Sequence, residues 1–220
     1  MFYGRSSHSN TLGLIAAALV LGLTGCLFPR IAAAERTYPP IFDTRESASN
    51  VIQKFPKWMS MLERNFAEER GGDASCNGSS PRPACIIASW KSFIDREQGH
   101  PARAMLDEVN AEINKHVYRL DPYYWETPRE LITKEGDCKD YAIAKYFTLR
   151  KLGWSADDLR VVVLRDVDIA VDHAIVVAYL DGKTYSLDNL VPMVLPTEVI
   201  HHYRPYYSIN ENRWWLHVAR

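Results

Sequence analysis

The chain has 220 residues, 47% of them hydrophobic and 24% charged, which is enough for one sizeable core and too little for more than two ordinary domains. Its formal net charge is −1 with both signs interspersed, so it has no basic field of the kind that nucleic acid or an anionic membrane would call for.

Arg5 and polar neighbours precede an apolar run from Leu12 to Leu23, too short to span a bilayer comfortably and of the length of a signal-peptide core. Two processing points stay open. Leu23-Thr24-Gly25-Cys26 has the form of a lipoprotein box, in which Cys26 is acylated after cleavage. Ala32-Ala33-Ala34 before Glu35 suits ordinary small-residue cleavage. Residues 1–34 therefore read as a signal peptide, and the mature protein as periplasmic, either soluble or lipid-anchored through Cys26. Residues 35–50, polar and Pro-containing, read as a tether, and residues 51–220 as the folded domain.

Export permits disulfides. With Cys26 in the leader, Cys76 and Cys85 are the natural pair, closing a stretch rich in Gly, Ser, Asn and Pro. That leaves Cys138 unpaired, as an intermolecular partner, a buried inert thiol or a nucleophile.

Val51, Phe55, Trp58, Met59, Leu62 and Phe66 recur at helical spacing up to Gly71-Gly72, with Pro56 kinking or delaying the start. Ile86, Ile87, Trp90, Phe93 and Ile94 predict a second helix that stops near Gly99. Leu106, Val109, Ile113 and Val117 predict a third, opened by Pro101. Residues 119–136 read as irregular, and a fourth helix runs from Cys138 to Leu152 with Gly153 as its stop. The period then changes. Residues 160–165 and 173–180 read as buried strands, Asp181-Gly182 as a two-residue hairpin turn, 184–187 as the returning strand, and 214–218 as a last strand. Helices followed by an antiparallel sheet predict an α+β fold.

A thiol at a helix start feels the positive end of the dipole, and free backbone N–H groups there can stabilise an oxyanion. Cys138 needs an imidazole partner, and His173 opens a strand able to pack on its helix. If Asp181-Gly182 is the loop, Leu180 pairs with Lys183, Ile175 faces Asp188, and Asp188 is the diagonal neighbour of His173 on the same face, roughly 7–8 Å away. A carboxylate there orients the imidazole as the third member of a triad. Taken singly, Cys138 reads as a small buried hydrophobe, His173 as a satisfied polar residue, and Asp188-Asn189 as turn chemistry. Their joint geometry favours the triad.

Trp125-Glu126-Thr127-Pro128-Arg129-Glu130, Gly136-Asp137-Cys138-Lys139-Asp140-Tyr141-Ala142, His173-Ala174 and Leu187-Asp188-Asn189-Leu190 together resemble the bacterial transglutaminase-like cysteine peptidases over roughly residues 51–215. The resemblance implies a papain-like core, Cys138 as nucleophile, His173 as general base and acid, and Asp188 as its orienter. It also implies a periplasmic cysteine endopeptidase that cleaves a large surface adhesin in biofilm control, held inactive by an inner-membrane receptor. Members of that kind bind calcium through acidic residues beside the nucleophile, which here are Asp137 and Asp140. Lys139 departs from this pattern, standing where calcium-dependent members have a glutamate; an ammonium beside calcium is repulsive. The chemistry itself requires no cofactor. Trp125, ahead of the nucleophile helix, is a candidate for the substrate cleft. The alternatives on the same fold are a transamidase or amide hydrolase using the same triad, and a non-catalytic binding module.

Overall fold

The computed structural model describes residues 38–76 and 83–220. The expected signal peptide, with Cys26, lies outside the described residues.

The first strand, β1 (Thr44–Ser49), falls inside the stretch expected to be a tether. It pairs antiparallel with the last strand, from Thr44 opposite Ala219 to Ser49 opposite Trp214, so the folded unit begins before Val51. An edge strand buries little, which is why the segment reads as polar: only Thr44 is buried, and Glu46 takes the guanidinium of Arg160 at 2.6 Å.

Helix α1 (Pro56–Gly71) starts at Pro56 rather than kinking there, because the first helical position needs no N–H. It buries Trp58, Met61 and Leu62, whereas Val51 and Phe66 of the expected stripe are exposed. Helices α2 (Pro83–Glu97) and α3 (Ala102–Ile113) bury the aliphatic and aromatic stripes read from the sequence, except that Ile86 stays half-buried at the edge of the core and Val117 does not belong to α3. Val117 lies exposed in β2 (Val117–Tyr118), a two-residue parallel partner of β3 (Glu135–Gly136). A disulfide joins Cys76 to Cys85.

The stretch expected to be irregular contains α4 (Pro128–Thr133). Thr127 caps it, Glu130 bonds back to the Thr127 N–H at 2.8 Å, and Pro128 takes the first position. Helix α5 (Cys138–Lys151) then lies across the sheet and is buried from Lys139 to Leu149. It is the central helix of the fold.

The sheet continues with β4 (Leu159–Asp166), β5 (Val171–Leu180), β6 (Lys183–Leu187), β7 (Leu195–Pro196), β8 (Tyr203–Ile209) and β9 (Trp214–Ala219), in the order β1-β9-β8-β4-β5-β6-β7. Every pairing in it is antiparallel. Val161, Ala174, Val176 and Ala178 face the helices, while Val162, Leu164, Ile175, Val177 and Tyr179 form a second core with Ile41 and Tyr203. Both faces of β4 and β5 are therefore covered, which explains their continuous apolar runs. Asp181 and Gly182 take φ of 51° and 75°, the left-handed pair that a tight hairpin needs. The register runs from Leu180 opposite Lys183 to Val176 opposite Leu187, as read from the sequence. It carries Asp188 toward His173. The fold is α+β, helices packed on an antiparallel sheet.

Candidate active site

Gly136 sets the approach to α5. A Cβ there would stand 2.8 Å from Leu131 Cδ1 and 2.9 Å from Asp140 Cβ, so only glycine lets the chain pass this close. Asp137 caps the helix, accepting from the Lys139 N–H, while the Asp140 carboxylate accepts from the Asp137 N–H at 3.0 Å. This capping box places Cys138 at the first helical position, as a free and half-buried thiol.

His173 sits near the start of β5 and Asp188 one residue past the end of β6, and they are 4% and 2% exposed. His173 Nε2 lies 2.8 Å from Asp188 Oδ1. With Nε2 committed to the carboxylate, Nδ1 is the ring nitrogen left for the Cys138 side chain, whose nearness favours the protonated ring. Asp188 is itself held from three directions. Oδ1 also accepts from the Leu190 N–H at 2.8 Å, Oδ2 accepts from the Tyr203 hydroxyl at 2.6 Å, and the Asp188 carbonyl accepts from Asn114 Nδ2 at 2.9 Å. Its two carboxylate oxygens thus have well-defined partners.

Burial alone would push the His173 imidazole down. The hydrogen bonds to Asp188 and Cys138 and the charges of both outweigh it, and the group is pushed up to about 9. Burial would likewise push Asp188 up, but hydrogen bonds and charge from His173, with the Tyr203 and Leu190 donors, hold its carboxyl below the usual range. Tyr203 is pushed up by burial and by the charge of Asp188, which keeps it a donor. The arrangement stabilises an imidazolium beside the buried Asp188 carboxylate and close to the Cys138 side chain.

Two contributors were not legible from the sequence. Tyr203 lies on β8, where Pro205 and a register shift between Val163 and Leu164 of β4 obscure the strand pattern. Tyr118 sits in two-residue β2, too short to carry a period. Burial and then the nearby Cys138 side chain push its pKa up.

Trp125 packs edge-on against Trp58 at 6.3 Å between ring centroids, and its carbonyl accepts from the Arg64 guanidinium. It lines a cavity of about 260 Å³ with Pro56, Lys57, Ser60, Arg64, Tyr123 and Tyr124. His173 and Asp188 come together near the Cys138 side chain, whereas Trp125 packs against α1.

Asp137 and Asp140 are both buried, and their oxygens are already in use. Asp137 Oδ1 takes Lys139 Nζ at 2.7 Å and Oδ2 takes the Asp121 N–H at 3.0 Å. Asp140 Oδ1 takes the Glu126 N–H at 2.9 Å, and Oδ2 takes Lys139 Nζ at 3.2 Å besides the Asp137 N–H. Calcium wants six to eight oxygens. Among the described residues no group of three or more His, Cys, Asp or Glu gathers to hold a metal. As arranged, this pair does not fit a calcium ion, because an ammonium already stands between the carboxylates.

The family model described as bacterial transglutaminase-like cysteine proteinase BTLCP matches residues 83–220. No curated protein sequence matches significantly. Among solved structures, Legionella pneumophila LapG is similar at 26% identity and a TM-score of 0.59, covering 72% of this chain and 86% of that one. Its calcium-bound and EGTA-treated forms match with the same identity and TM-score, covering 86% and 84% of those chains.

Proposed function

The chain belongs to the bacterial transglutaminase-like cysteine proteinases, and we propose that it is a periplasmic endopeptidase acting through Cys138, His173 and Asp188. The observation that carries this reading is the buried 2.8 Å contact of Asp188 with His173 Nε2, which leaves the other ring nitrogen to the thiol at the start of α5.

The Cys138 thiolate attacks the carbonyl carbon of the scissile peptide, and the oxygen gains the negative charge beside the Cys138 N–H. The His173 imidazolium then hands its proton to the leaving nitrogen, and the C–N bond breaks to give a thioester and a free amine. Water attacks the thioester, His173 takes one of its protons, and the C–S bond breaks to return thiolate, imidazolium and a carboxylic acid, which releases its remaining proton to solvent. Asp188, fixed by Tyr203, Leu190 and Asn114, keeps the ring oriented throughout. No step is routed through calcium.

The disulfide suits an oxidising compartment, and among the described residues no helix is long and apolar enough to cross a membrane. By family resemblance the substrate is the N-terminal region of a large surface adhesin, and an inner-membrane receptor is the partner that sequesters the enzyme. Trp125 is proposed to border the cleft, supported by the bond of the adjacent Glu126 N–H to Asp140. The test is cleavage of such an adhesin region by the purified protein beside Cys138→Ala. Cleavage lost in a variant that melts like the parent is expected. Retained turnover in Cys138→Ala would refute the nucleophile, and incorporation of a labelled amine without chain cleavage would make the reaction a transamidation.

A further inference from the structure

Lys139 directs a charge into the protein rather than out of it. Its side chain is 10% exposed, and it faces Asp137 and Asp140, whose side chains are 3% and 0% exposed. An ammonium leaves water at high cost unless oxygens replace its hydration. Three do: Asp137 Oδ1 at 2.7 Å, Asp140 Oδ2 at 3.2 Å and the Asp121 carbonyl at 2.6 Å. These oxygens belong to different pieces of the site. Asp137 is the helix cap, Asp140 closes the capping box, and Asp121 opens the loop that leads to Trp125. The same two carboxylates hold that loop again, through the Asp121 N–H at 3.0 Å and the Glu126 N–H at 2.9 Å. A cation at this point therefore joins the start of the nucleophile helix to the loop beside it.

We propose that Lys139 is a built-in cation that takes the place of a bound calcium ion, holding the Cys138 helix and the 121–126 loop together without metal. A protein similar to this one has been solved calcium-bound and EGTA-treated. Here the positive charge is covalently attached, and it saturates the acidic pair that a metal would need. Glu126 is buried beside Asp140, and its Oε2 has no hydrogen-bond partner among the described residues.

The proposal rests on the peptidase reading only in taking Cys138 as the working thiol, and its test reads binding and stability. The purified protein, Lys139→Glu and Lys139→Met are melted in calcium chloride and in EGTA, and the rate of Cys138 alkylation by iodoacetamide is measured in both. The parent is expected to melt at one temperature and to react at one rate in the two buffers. Lys139→Glu is expected to melt lower in EGTA and to recover by about 5–10 °C with calcium at roughly a hundred times its dissociation constant. Lys139→Met is expected to melt lower than the parent in both. A parent that melts higher in calcium, a folded Lys139→Glu indifferent to calcium, or a Lys139→Met that melts like the parent would each overturn the proposal. Failure to cleave any protein substrate would instead count against the peptidase and leave these melts unchanged.

Discussion

Replacing Asp188 with asparagine removes a charge while leaving most of the geometry available. The amide oxygen can still accept from His173 Nε2 and the Leu190 N–H, and the amide nitrogen can donate to the Tyr203 oxygen. What is lost is the carboxylate that favours imidazolium. A rise of the imidazole from 6.5 to about 9 corresponds to about 3 kcal/mol of preference for the charged ring. Cys138 supplies part of it, so Asp188 supplies less than the whole. The sign follows from linkage: a raised imidazole stabilises the fold fully below about pH 6.5 and ceases to do so as pH rises through about 9. The stability gap between parent and Asp188→Asn, measured by urea unfolding, should therefore be wide at pH 6 and narrower at pH 10, by up to about 3 kcal/mol. Groups that titrate alike in both proteins cancel. In parallel, the pH at which Cys138 loses its imidazolium partner, read from iodoacetamide kinetics, should fall in the variant. A gap that stays flat from pH 6 to pH 10, with unchanged kinetics, would show that Asp188 is a structural hydrogen-bond acceptor and no more.

Gly136→Ala should destabilise by about 1–3 kcal/mol in denaturant unfolding, because its methyl meets Leu131 and Asp140 below 3 Å and neither belongs to a flexible surface chain. Glu126→Gln should stabilise the protein at pH 8 and leave it nearly unchanged at pH 4. A carboxyl raised to about 7 opposes folding once pH exceeds its unfolded value, and unfolding at the two pH values checks this. Lys145, buried on α5 and pushed down to about 7 by burial despite the charge of Asp188, should behave in the opposite pH sense. Lys145→Met is expected to raise stability by a few kcal/mol at pH 6 and much less at pH 10, which thermal or urea unfolding will read.

How much of this was legible in the sequence varied with the physics of each part. The hairpin was fully legible, because Asp181-Gly182 dictates the turn, the turn dictates register, and register delivers Asp188 to His173. The helix start at Cys138 was legible from its following apolar run and the Gly153 stop. Strand β1 was not, since an edge strand with one buried side chain has no alternation to read. Helix α4 was missed although Thr127-Pro128-Arg129-Glu130 is a capping box, because six residues are too few for a hydrophobic stripe. Tyr203 and Tyr118 were invisible for a different reason. Their roles depend on where β8 and β2 bring them in space, and nothing in their own neighbourhoods announces a partner.

The two lysines of α5 show how one helix carries opposite electrostatic solutions. Lys139, in the first turn, has three oxygens around its ammonium, and two of them belong to carboxylates. Lys145, two turns on and 1% exposed, faces the charge of Asp188 without enough compensation to offset its burial. The first is a completed ion cluster and the second an uncompensated charge. A helix selected only for stability would replace Lys145 by an apolar residue of similar volume, because a buried charge without its oxygens costs more than it returns. Its nearest opposing charge is the Asp188 carboxylate that bonds His173. Lys145→Met therefore separates two accounts. A gain in stability with the His173 ionisation unmoved makes Lys145 a burden of packing alone. A gain in stability accompanied by a shift in the pH profile of Cys138 alkylation makes it part of the field that sets the triad.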